Sequence, residues 1–197
     1  MLNTTKKTSR KGYTITEILV GITIFMILSA ASVDFFVSSL EMQQKALISQ
    51  RLLDNASYSL EYMGRALRMA KKHESPDICA FLEAKNYELT TRGQGGIKFL
   101  NYDNQCLEFY LNNIPNSSNN FNLMVFDYAN NKEYPLTPDY LNVISFKITL
   151  SGDNVVKDDL QPKVTLFLEV QGKQSKKPEL QPKIKIQTTV SQRNLDI

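Results

Sequence analysis

Few side chains in this sequence can do chemistry, and the one in the most demanding place is Glu17. It stands directly ahead of 16 uncharged residues, Ile18 to Val33. A carboxylate at the centre of a bilayer costs about 2.5–3.5 kcal/mol, so Glu17 needs either headgroup water or a cationic partner. Cys79 and Cys106 are the only cysteines, and His73 is the only histidine. Two thiols and one imidazole fall short of the ligand set of a structural zinc, which leaves a disulfide or two buried thiols. The sequence contains no HExxH, GxSxG or phosphate-binding loop. Gly93-Gln94-Gly95-Gly96 precedes a strand pattern rather than a helix and reads as a turn. Asp158-Asp159 and Asp103-Asn104 read as solvated loop groups rather than calcium ligands. Asn116-Ser-Ser and Asn55-Ala-Ser match a glycosylation triplet, but Asn55 falls inside a helical pattern. No catalytic residue, no metal and no cofactor is expected, and the chain reads as non-enzymatic.

The charges around Glu17 say where it sits. Lys6, Lys7, Arg10 and Lys11 are the only charges before it. By the positive-inside bias they hold the amino terminus in the cytoplasm and send the rest outward. The apolar run counts 16 residues from Ile18, or 21 from Tyr13 with Glu17 included, against the roughly 20 that a spanning helix needs. One crossing is therefore expected. In a secretory signal the small-residue cleavage site follows the apolar core, whereas Gly12 precedes it, so the anchor survives processing. The formal net charge of +3 drops to −1 when the four leader cations are set aside. A basic address tag is not a basic surface, which argues against nucleic acid as a partner.

Gly12-Tyr13-Thr14-Ile15-Thr16-Glu17-Ile18-Leu19-Val20 resembles the processing site of type IV pilins and type II secretion pseudopilins. That site reads glycine, an aromatic, Thr-Leu-Ile-Glu and an apolar run. The resemblance implies cleavage by a prepilin peptidase between Gly12 and Tyr13, and N-methylation of Tyr13. Here Tyr13 replaces the commoner phenylalanine, and Thr16 puts a hydroxyl where the family carries an aliphatic residue. The resemblance also gives Glu17 a partner, the amino terminus of a neighbouring subunit. An ion pair of that kind stabilises a carboxylate in low dielectric and leaves a misplaced subunit with an unpaired charge.

The elements that must carry these residues follow from periodicity. Met42, Ala46, Ser49, Leu53, Ala56, Leu60, Met63, Leu67 and Ala70 recur by fours and threes, a single helical stripe that a chain most often lays on its own domain. The helix is predicted from Tyr13 to His73, 61 residues or about 90 Å. Lys71, Lys72 and His73 suit its negative end, and Pro76 blocks continuation. From residue 97 the period becomes two. Ile97–Tyr102 and Cys106–Leu111 predict a hairpin turning at Asp103-Asn104, with Leu123–Tyr128 a further strand. Ile144, Phe146, Ile148 and Leu150, then Val164, Leu166, Leu168 and Val170, then Ile184, Ile186, Thr188 and Val190, predict three half-buried strands.

The expected architecture is α+β: a long amino-terminal helix, its first third in the membrane, packed on a mainly antiparallel sheet domain. The divisions are a leader at 1–12, an assembly helix at 13–34, the outer half of the helix at 35–75 and an extracytoplasmic domain at 76–197. Outside the cytoplasm oxidation is permitted, so Cys79 and Cys106 are expected to pair. The 28-residue loop so closed is worth about 3–4 kcal/mol in the chain-entropy model.

Within the family the chain looks most like a J-type minor pseudopilin or a W-type minor pilin. That likeness rests on the large domain, the Cys-containing segment after the helix and the terminal strand ending Gln192-Arg193-Asn194. The implied partners are the peptidase, other pilin subunits and the bacterial cytoplasmic membrane, followed by an extracytoplasmic fibre. The alternative is a bitopic membrane protein whose outer domain binds a ligand and whose Gly12 is never cut.

Overall fold

A computed structural model describes residues 12–72, 79, 85–113, 121–152, 161–173 and 181–193. Residues 1–11 and the singled-out residues His73, Pro76, Asn116, Asp158 and Asp159 lie outside them. One helix, α1 (Ile15–Arg68), is followed by eight strands. They are β1 (Tyr87–Thr90), β2 (Gly96–Leu100), β3 (Cys106–Asn113), β4 (Phe121–Asp127), β5 (Lys132–Pro135), β6 (Leu141–Ser151), β7 (Lys163–Gly172) and β8 (Lys183–Ser191). The chain divides into two compact units, residues 1–43 and 44–197.

In the first unit the described backbone is helical from Ile15 onward. Its large apolar side chains, among them Phe25, Ile27, Phe35 and Phe36, are exposed. Among the described residues α1 is the one helix long and apolar enough to cross a membrane. Such a surface calls for lipid or other protein around it, because exposed apolar area of this extent is unfavourable in water.

In the second unit α1 packs on two antiparallel sheets, one ordered β1-β2-β3-β4-β5 and one ordered β6-β7-β8. The α+β architecture is pilin-like, as expected, with the strands divided between two sheets. A shared core joins Leu52, Ala56, Leu60, Met63 and Leu67 of the helix to Ile97, Phe99, Phe109 and Leu123 of the first sheet. Leu141, Val143, Val164, Leu166, Leu168 and Val170 of the second complete it. The alternation predicted for β7 is realised without exception. Its four aliphatic residues are fully buried, and each register pair with β8 sets Val164 opposite Val190 and Val170 opposite Ile184.

Three local readings change. The helical stripe runs through Leu52, which is buried, while Leu53 is 47% exposed. Four-residue steps back from Leu60 and Ala56 reach Leu52 and then Ile48, which packs against the core, and this path stays closest to the 3.6-residue period. In β6 the register shifts between Val143 and Ser145. Ile144 is the extra residue of a β-bulge, so Val143 takes the buried position and Phe146 resumes the inner face.

The helix ends at Arg68, not His73. Its last carbonyls are claimed by the sheet domain. The Tyr87 hydroxyl donates to Leu67 O at 2.7 Å, Arg193 N–H to Arg68 O at 3.0 Å, and Gln192 Nε2 to Ala70 O at 2.9 Å. Lys71 already lies opposite Leu100 as a β-bridge, donating its N–H at 3.0 Å. Arg65 and Arg68, rather than Lys71 and Lys72, therefore occupy the last turn.

The β2–β3 hairpin turns where expected. Asn104 takes φ 60°, a left-handed conformation that asparagine tolerates better than most residues, and Asn101 Oδ1 accepts the N–H groups of Asp103 and Gln105. Gly93, at φ 58°, sits so close to β3 that a Cβ would lie 2.0 Å from Leu111 O, which fixes this glycine as a structural turn residue.

Candidate functional site

Gly12, Tyr13 and Thr14 precede the helix in non-helical backbone, and all three are exposed. A Cβ added at Gly12 would meet nothing within 4 Å. The Gly12–Tyr13 bond is thus in open, non-helical chain, the state in which a peptidase can bind a substrate backbone.

Thr14 and Glu17 are the N-cap and N3 residues of α1 and satisfy each other. Glu17 N–H donates to Thr14 Oγ1 at 3.3 Å, and Thr14 N–H donates to Glu17 Oε2 at 3.2 Å. The Thr14 hydroxyl also reaches Glu17 Oε2 at 3.3 Å, and the Thr16 hydroxyl lies 3.0 Å from Thr14 Oγ1. This reciprocal pair is a capping box. It occupies two of the amide groups that a helix start leaves without partners, and it places a carboxylate at the positive end of the helix dipole. The donors that reach the Glu17 carboxylate are neutral, so the box orients it without supplying a countercharge. Thr14-Ile15-Thr16-Glu17 ahead of an apolar run is itself the signature of such a box, a local signal that marks Thr14 beside Glu17.

An N-cap threonine changed to alanine costs about 1 kcal/mol. In full-length protein held in bicelles, Thr14→Ala is expected to speed amide exchange at Thr16, Glu17 and Ile18 about five-fold. Unchanged exchange would show that the box does not hold the first turn.

Cys79 and Cys106 are joined as a disulfide, with Cα atoms 5.4 Å apart, and pack with Leu100 as a small buried cluster beside the main core. The bridge ties the segment following the helix to the first residue of β3.

A second constellation, on the first sheet, had no signal in the sequence. The Glu108 side chain is fully buried, and Arg92 Nε donates to its Oε2 at 2.9 Å. The Tyr128 hydroxyl donates to the same oxygen at 2.7 Å, and the Thr90 hydroxyl bonds Oε1. The Arg92 guanidinium lies 4.0 Å from the centroid of Phe126 and within 5.6 Å of those of Tyr110 and Tyr128, a cation–π arrangement. The Arg92, Glu108, Thr90 and Tyr128 groups bond one another, while the Tyr110 hydroxyl is buried without a partner among the described residues, so the cluster reads as a structural lock. Burial, reinforced by the Glu133 carboxylate, pushes the Tyr110 phenol up to about 12.

The folded state therefore holds this proton more tightly than the unfolded chain. Its contribution to stability is complete below pH 10 and is lost as pH rises toward 12. Tyr110→Phe should raise the alkaline unfolding midpoint followed by circular dichroism; an unchanged midpoint would contradict that assignment.

The structure thus gathers Thr14, Thr16 and Glu17 beside Tyr13 and joins Cys79 to Cys106. Among the described residues no group of three His, Cys, Asp or Glu side chains comes together as a metal site. No curated protein and no solved structure matches the chain. The family model described as the prokaryotic N-terminal methylation motif matches residues 7–33. That span covers the basic residues from Lys7, the Gly12–Tyr13 bond, the capping box and the apolar part of α1 to Val33. The chain therefore carries a prepilin-type N-terminal methylation motif ahead of an α+β, pilin-like fold.

Proposed function

We propose that the protein is a minor pilin or pseudopilin, a structural subunit stored in the bacterial cytoplasmic membrane and drawn into an extracytoplasmic fibre. The observation that carries this reading is the methylation motif at residues 7–33, with Gly12–Tyr13 in exposed chain directly before the helix. Prepilin peptidase cuts after Gly12, and Tyr13 becomes the methylated amino terminus. The helix spans the membrane once with its amino terminus inside and its domain outside. Assembly then exchanges lipid for neighbouring helices around the apolar residues of α1, a swap of one apolar environment for another. Glu17 pairs with the amino-terminal cation of a neighbouring subunit in the fibre.

The J-type pseudopilin or W-type pilin assignment, with a place at or near the fibre tip, rests on the size of the domain and the course of its last strand. Two sheets and a β8 whose end is stitched to the end of α1 support it. The bridge between Cys79 and Cys106 suits a domain that folds outside the cytoplasm. The test is expression with and without a prepilin peptidase. The expected result is a peptidase-dependent loss of residues 1–12, seen as a faster band on a denaturing gel and blocked by Gly12→Leu. A single band in both backgrounds would favour the plain bitopic membrane protein.

A further inference from the structure

Strand β8 forms one end of the β6-β7-β8 sheet, and among the described residues it pairs with β7 alone. Half of its backbone N–H and C=O groups therefore point away from β7, along an edge that no other described strand covers. Its inner face is also incompletely covered. Val190 is buried, but Ile184, Ile186 and Thr188 are only half-buried. Beside them runs the face of α1 that carries Ser57, Glu61, Arg65 and Arg68, and a groove of about 580 Å³ lies between strand and helix. Leu60, Ile186 and Val190 line it with apolar surface. At Gly64 helix and strand approach closely, since a Cβ there would lie 3.3 Å from Val190 Cγ2.

We propose that this groove receives an extended acidic segment of a different polypeptide, added as a strand to the open edge of β8 with carboxylates directed at Arg65 and Arg68. Each part of the occupant's chemistry answers a feature of the groove. An open strand edge selects extended backbone, since only a strand can match its row of donors and acceptors. The apolar lining takes alternate side chains of such a strand, on the two-residue period. The cations select the charge. Arg65 is held to Glu61 at 2.9 Å, but both side chains are about two-thirds exposed (68% and 65%), and an ion pair so exposed is easily exchanged for another. Arg68, three residues on and also exposed, supplies a second cation on the same rim. Lys183 carries positive charge onto the outer face of β8, where Lys185 is paired across the sheet with Glu169 at 3.7 Å. The same lysines oppose a second copy of this chain at the edge, because two β8 strands side by side would set like charges against each other. The proposal stands whether or not the amino terminus is processed.

The test places a photo-crosslinking p-benzoylphenylalanine at Gln187 or at Ser57 of the full-length chain, in the cells that make it, and sequences the adducts by mass spectrometry. Ser57 lines the groove, and Gln187 is exposed on the outer face of β8, beside its free edge. Adducts from both are expected to map to one extended segment, rich in Asp or Glu, of another polypeptide. With two charge-assisted contacts reversed, R65E/R68E should lower adduct yield about ten-fold or more. R65K/R68K, which keeps the charge, should retain most of it. Adducts to a second copy of this chain, to an acid-poor segment, or equal in yield after charge reversal would overturn the proposal, as would no adducts at either position. The amino terminus of the same sample, read in parallel, reports on processing independently.

Discussion

Glu17→Gln is expected to insert into the membrane, to be cut after Gly12, and then to fall at least ten-fold below wild type in the sheared fibre fraction. Glu17→Ala should fall equally far. The comparison of the two carries the argument, because they remove different things. Glutamine at N3 still returns a hydrogen bond to the N-cap, so the pairing with Thr14 seen at 3.2–3.3 Å survives. What it loses is the charge. The capping box supplies only the Thr14 N–H and hydroxyl to the carboxylate, which orient it without a countercharge. A carboxylate in lipid costs about 2.5–3.5 kcal/mol, and a correctly placed cation relieves most of that, so each subunit gains by docking in register. Removing one member of a desolvated pair costs about 3–5 kcal/mol, more than enough for a ten-fold loss. If Glu17→Gln were incorporated like wild type while Glu17→Ala was not, Glu17 would serve the helix start and not the assembly step.

Arg92→Met should destabilise the sheet domain by about 3 kcal/mol, the low end of the range for breaking a buried pair. The low end applies because the Arg92 side chain is itself about one-third (35%) exposed. Glu108 is the reason for the size of the effect. Its side chain is wholly buried on β3, and without the guanidinium it keeps only the hydroxyl groups of Thr90 and Tyr128. The double variant Arg92→Met, Glu108→Leu removes both charges and should recover most of the loss, since apolar replacement of an entire buried pair is often neutral or stabilising. Urea unfolding of the full chain in micelles measures both. A single variant within about 0.5 kcal/mol of wild type would place Arg92 among ordinary surface residues.

How much of this was legible in advance depended on how local each signal was. The β7 alternation is written in adjacent residues, and all four inner positions proved buried. The β2–β3 turn was readable from Asp103-Asn104 for the same reason, and residues 7–33 hold the motif within one short stretch. Strands β1 and β5 escaped because each has four residues, and every residue of β5 is exposed, so neither shows an apolar period. The helix end escaped because Tyr87, Gln192 and Arg193, far along the chain, claim its carbonyls. The same holds for Arg92 and Glu108, sixteen positions apart, which meet only through the pairing of β1, β2 and β3. The bulge at Ile144 is a registry event between strands, and an alternating sequence cannot mark which member will be skipped. Thr14 is the exception. Its box with Glu17 is local, and the spacing alone displays it.

On the proposed function, residues 1–12 are an address removed at a defined bond, leaving an anchor that later serves as packing surface in a fibre. The most direct measurement is the mass of the amino-terminal peptide of the protein purified from its own cells. The expected peptide begins at Tyr13 and carries one methyl group on its α-amino nitrogen. A peptide beginning at Met1, or at any residue other than Tyr13, would contradict it.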